Sequence, residues 1–64
     1  MRLTEFHDRV RAEFGPVLGD SVLRDHVLIA MGGVTASVAL HQGKSLRDVW
    51  WALCDDFDIP RDRW

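Results

Sequence analysis

Residues 44–60, KSLRDVWWALCDDFDIP, leave the chain the fewest alternatives. At about 3.6 residues per turn, Leu46, Val49, Trp50, Leu53 and Phe57 fall on one helical face. Ser45 stands where an N-cap belongs, and Asp48 three residues on makes an approximate capping box with Asp in place of Glu. Pro60 sets the far limit, because proline cannot continue a helix. Trp51 lies about 100° round the wheel from Trp50, so the apolar stripe has room for one indole and not the other. One tryptophan therefore has a structural task, and its neighbour is free for another.

Length narrows the choice further. With 64 residues the chain makes one domain, residues 1–64. A domain of this size buries only about 60% of its unfolded surface, so its stability margin is small. Cys54 is the single cysteine, so no internal disulfide holds the fold. One unpaired thiol and an opening, MRLTE, without the apolar run of a secretory signal point to a reducing cytoplasm. The longest stretch free of Asp, Glu, Lys and Arg, residues 26–43, contains adjacent glycines, two histidines and a glutamine. It falls short of the roughly 20 apolar residues of a membrane span, so no membrane association is expected. The net charge is −2, from eight basic and ten acidic residues interspersed along the chain, with no basic tail or dense phosphate-binding stripe.

No segment alternates polar and apolar residues over strand length, so no sheet is expected. The pattern predicts an all-α protein, a compact bundle of three to four helices. The first follows Thr4 as cap and carries Leu3, Phe6, Val10 and Phe14 on a narrow stripe until Gly15-Pro16 stops it. The second starts near Asp20 or Ser21 and runs through VLRDHVLIAM to Gly32-Gly33. It is apolar around most of its circumference, as a central helix is. Thr35 caps a short third helix over residues 36–42, closed by Gly43. The fourth is the segment already described. In this arrangement the first and last helices clamp the second, and Phe6, Phe14, Ile29, Trp50, Leu53 and Phe57 form the core centre.

The opening MRLTEF, the central FG…DS…RDHVL, the GG-x-T turn and the closing VW-x-x-L-C-x-x-F-x-x-P resemble a small actinobacterial domain-of-unknown-function family (DUF 3046-like). The resemblance covers the whole chain. It implies an intracellular helical protein of unassigned role, with genes near those for recombinase A and RecX and hence a link to DNA repair. It brings no catalytic residues with it. It also implies an aromatic residue at the position of His7 and a polar one at that of Trp51, so a role built on Trp51 is particular to this chain.

The candidate functional residues gather around the last helix. Arg47 precedes Trp51 by one turn, where a guanidinium can lie over the indole. Trp and Arg dominate binding hot spots, so Arg47, Trp51 and the terminal Trp64 form the expected partner-binding set. A packing role for Trp51, under the C-terminal tail beside Ile59 or Trp64, is the alternative. Ala39, Gly43 and Val49 also sit where a helix-turn-helix unit needs a small contact residue, a turn former and an inward β-branched residue. Lys44 and Arg47 would then face nucleic acid, with Asp48, Asp55 and Asp56 opposing phosphates.

Other chemistry lacks its ingredients. His7, His26, His41 and Cys54 show no ligand-pair spacing, so neither a metal nor a cofactor is expected. His26 is expected to bond a carbonyl or carboxylate. Cys54 sits late in its helix before Asp55 and Asp56, which disfavours a thiolate. Gly32-Gly33 follows a helix and so is no phosphate loop. The expectation is a non-enzymatic interaction or regulatory module, acting on an unknown protein partner or by self-association. A small helix-turn-helix DNA binder over residues 35–57 is the alternative.

Overall fold

The first helix, α1 (Leu3–Phe14), begins one residue before the expected Thr4 cap, and Arg2 occupies the cap position without a side-chain hydrogen bond. The structure, a computed structural model, describes residues 1–64. Phe6 and Val10 turn inward from α1, one helical turn apart. Gly15 breaks the helix and Pro16 at once opens α2 (Pro16–Asp25). Proline suits a first helical position because its missing N–H would have no partner there in any case. Gly19 lies where α2 crosses α1, close enough that a Cβ would meet Val10 Cγ1 at 3.1 Å.

Here the expected second helix is corrected. It starts earlier than Asp20 and stops at Asp25, well short of Gly32. The chain then forms β1 (Val27–Leu28), a 3₁₀ turn (Ile29–Met31) and β2 (Val34–Thr35). The strands pair antiparallel, Val27 with Thr35 and Leu28 with Val34, so a small two-stranded ladder exists where no sheet was expected. Gly32 and Gly33, at φ 79° and 82°, turn the chain back on itself. Side chains with a Cβ rarely adopt that conformation, so the pair both ends the 3₁₀ turn, with Gly32 as its left-handed cap, and reverses the chain between the strands.

Thr35 ends β2 and caps α3 (Ala36–His41), its hydroxyl accepting from the Val38 N–H at 3.2 Å. Gly43 at φ 91° closes α3, with the Lys44 N–H donating back to the Ala39 carbonyl. The Ser45 hydroxyl caps α4 (Leu46–Asp56) by accepting from the Asp48 N–H at 3.1 Å. At its other end Asp58 takes up a left-handed φ of 54°, and the Ile59 N–H donates to the Cys54 carbonyl at 2.9 Å. This is a Schellman ending with Asp where glycine is usual. A 3₁₀ turn (Arg61–Arg63) completes the chain.

The mostly helical, four-helix architecture matches expectation, but its centre is α4 and not α2. Val49, Trp50, Ala52, Leu53 and Cys54 are all buried on α4. Phe6 from α1, Leu28 from β1, and Ala36 and Ala39 from α3 close around them. The Phe6 and Trp50 rings meet edge to face, their centroids 6.5 Å apart. Three expected core residues sit elsewhere. Ile29 is 83% exposed because the hairpin carries it outward. Phe57, past the last turn of α4, lies at the rim 4.9 Å from half-buried Phe14. No helix is long and apolar enough to cross a membrane.

Candidate functional site

The two adjacent tryptophans divide as their helical positions dictate. Trp50 is fully buried, and Trp51 is 46% exposed. Trp51 forms part of an open groove of about 500 Å³ between α1, α4 and the C-terminal turn. Met1, Glu5 and Arg9 line it from one side, Arg47 and Trp51 from α4, and Arg61 and Trp64 from the turn. The expected partner-binding residues Arg47, Trp51 and Trp64 therefore share one surface.

The tail is fixed there by hydrogen bonds at Trp64. The Trp50 indole N–H donates to the Trp64 carbonyl at 3.0 Å, and the Arg9 guanidinium donates to the same oxygen. The Trp64 indole N–H donates to the Ile59 carbonyl. Arg63 adds an ion pair to Glu13 of α1 at 2.7 Å. Trp64 is thus a half-buried wall that joins tail to core, in addition to any face it offers a partner.

The three groove arginines are not equivalent. Arg9 is engaged, bonded to the Trp64 carbonyl and paired at 3.4 Å with Glu5 one helical turn away. Arg47 and Arg61 make no ion pair. Each lies against an indole, Arg47 Cζ at 5.8 Å from the Trp51 ring centroid and Arg61 Cζ at 4.3 Å from that of Trp64. A guanidinium is drawn to the negative face of an aromatic ring, and its N–H groups can still donate to an acceptor at its edge. Arg9 and Arg61 escaped the sequence reading. The three-residue step from Arg61 to Trp64 is a local signal for one of them, whereas Arg9 joins only through tertiary packing.

Lys44 lies in the α3–α4 turn, exposed and outside the groove. The expected packing of α3 against α4 is present: Ala39 and Val49 are fully buried, and Gly43 has its positive φ. The outer face of α4 nevertheless exposes Asp48 and Asp55 along with Arg47 and Trp51.

Elsewhere, His26 is bonded to a carboxylate as expected, although it caps α2 instead of riding on a helix face. Its Nε2 stands 3.0 Å from Asp56 Oδ2, and its ring packs 4.5 Å from Phe57. Arg24 pairs with the adjacent Asp25 at 3.3 Å. Cys54 is fully buried, and desolvation with the nearby Glu13 charge pushes its thiol up to about 11. A thiol so placed is protonated at neutral pH and inert as a nucleophile. No three His, Cys, Asp or Glu side chains converge as a metal-holding group.

Residues 1–62 match the family model described as a protein of unknown function, DUF3046. The chain belongs to the DUF3046 family. Among curated proteins, a Mycobacterium tuberculosis protein named "Putative envelope-preserving system protein" is 54% identical over 37 residues. That match covers 58% of this DUF3046 chain and 13% of the mycobacterial protein. No solved structure matches.

Proposed function

We propose that this DUF3046 protein is a non-enzymatic interaction module that docks a protein partner on the groove between α1, α4 and the C-terminal turn. The observation that carries this reading is the exposed Trp51 beside Arg47, held on a helix whose other tryptophan is sealed in the core. A rigid aromatic anchor with an arginine at its edge is the composition of binding hot spots. The mycobacterial relative adds support, because a stretch similar to this chain occurs there as a small part of a longer protein. Its name attaches to envelope preservation, which makes an envelope-maintenance system one setting for the partner. The single free thiol favours a reducing cytoplasm as the compartment.

The experiment is affinity capture from a lysate of the source organism with wild type and Trp51→Ala side by side. Proteins held by the first and lost by the second support the groove, and identical sets remove it. Concentration-dependent sedimentation tells a foreign partner from a second copy of the chain.

A DNA-binding role draws on the helix-turn-helix packing of α3 and α4. Asp48 and Asp55 on the exposed face oppose the phosphate neutralisation that such binding needs. Fluorescence anisotropy with duplex DNA at low and moderate salt decides between the classes. Tight, steeply salt-dependent binding favours DNA, and its absence leaves the protein partner.

A further inference from the structure

Resting on the partner-docking reading, we infer that the groove recognises a peptide segment in which acidic side chains stand beside a bulky apolar one. Three observations converge. Arg47 and Arg61 line the same groove, make no ion pair, and lie against Trp51 and Trp64. Their free N–H edges match the two oxygens of a carboxylate, and bracing lowers the entropy lost on binding it. Arg9 is already engaged, so the available positive charge sits at two points and not along a track.

The second observation lies across the Trp51–Arg61–Trp64 ridge. There a shallower hollow of about 350 Å³ continues the surface, walled by Ala30, Met31 and Ala52. A flexible thioether and two methyl groups make a seat for an aliphatic or aromatic side chain. One surface thus offers cationic and apolar subsites side by side, divided by two indoles.

The third observation separates peptide from nucleic acid. Asp48 and Asp55 border the apolar hollow, so a polyanion continuing across the ridge meets like charge. The Trp64 indole also has the Arg61 guanidinium against its ring, which obstructs there the base stacking that single-stranded nucleic acid uses. A short segment with acids over Arg47 and Arg61 and an apolar residue over Met31 meets neither obstacle.

Selection of a random-peptide display library on the intact protein tests this, with Arg47→Gln and Arg61→Gln as parallel targets. The expected winners carry Asp or Glu next to Leu, Met, Phe or Trp. A fluorescein-labelled winner should bind about tenfold more weakly to each variant, the loss expected for a charge-assisted hydrogen bond. Replacing its acids by Asn or Gln should cost a similar factor on wild-type protein, which keeps the test decisive if a variant fails to fold. Winners without acidic bias, no enrichment over the variants, or affinity indifferent to these changes would overturn the inference. So would tighter binding of a labelled oligothymidine than of the acidic peptide. Capture that depends on Trp51 together with acid-blind peptide selection removes only the ligand class. Capture indifferent to Trp51 removes the docking surface itself.

Discussion

Trp50 and Trp51 are adjacent in sequence and opposite in energetic consequence. Trp50→Ala removes a fully buried ring from the edge of Phe6 and takes one donor from the Trp64 carbonyl. A cost of about 3–5 kcal/mol is expected, a large fraction of what so small a domain has. Trp51→Ala forfeits the cation–π contact and the packing of the covered half of its ring, and should cost about 1–2 kcal/mol. Urea titrations of the two variants check the pair, and equal losses would show that Trp51 is structural. Cys54 gives a prediction in pH. Its thiol is raised from 9.0 to about 11, so between those values the unfolded chain has lost a proton that the folded chain retains. Stability then falls as pH rises. The contribution is whole below 9.0 and gone above about 11, a loss of about 2–3 kcal/mol across the window. Chemical denaturation from pH 8 to 11 should show this slope in wild type and a flatter one in Cys54→Ala.

Helix ends decide how well each element could be read. Ser45→Ala removes the hydroxyl that accepts the Asp48 N–H and should cost about 1 kcal/mol. Asp58→Gly should act oppositely at the other end of α4. Asp58 holds a left-handed φ of 54° and adds negative charge near a helix C-terminus, and glycine relieves both. A gain of about 0.5–1 kcal/mol in urea is expected, with Asp58→Ala showing none. The same end signals made α3 and α4 legible, because Thr35 and Ser45 cap them and the apolar spacing between agrees. They misled at α2. Gly15-Pro16 reads as a stop, yet proline at a first helical position is also a start, and the structure uses it as one. The run VLIAM reads as helix by hydropathy alone. What overrides it is the pairing of Val27–Leu28 with Val34–Thr35, a hairpin ladder closed by Gly32-Gly33 whose two-residue strands are too short to show a period. Moving that run out of helix exposes Ile29 and leaves α4, not α2, at the centre.

At the scale of the molecule, closure depends on a contact between the two ends of the chain. Arg9 and Trp50 both donate to the Trp64 carbonyl, and Arg63 pairs with Glu13, so the tail ties α1 to α4. This closure explains which part of the site was readable. Arg47 and Trp51 are one helical turn apart and met as their spacing required. Arg9 is separated from Trp64 by most of the sequence, and nothing local marks their meeting. It also joins stability to the proposed recognition, because the residue that latches the tail is one wall of the groove. Trp64→Ala keeps the backbone acceptor but removes the indole, its bond to the Ile59 carbonyl and the platform under Arg61. Loss of a half-buried ring of this size should cost about 2 kcal/mol in urea. The same variant should bind any groove ligand more weakly even at temperatures where it remains folded. A merely structural tail predicts the first loss without the second. Measuring both on one preparation, with Arg63→Gln as a variant that loosens the tail but leaves the groove wall, tells these apart. Arg63→Gln should lose the ion pair to the mostly covered Glu13, which loosens the tail, and keep its ligand affinity.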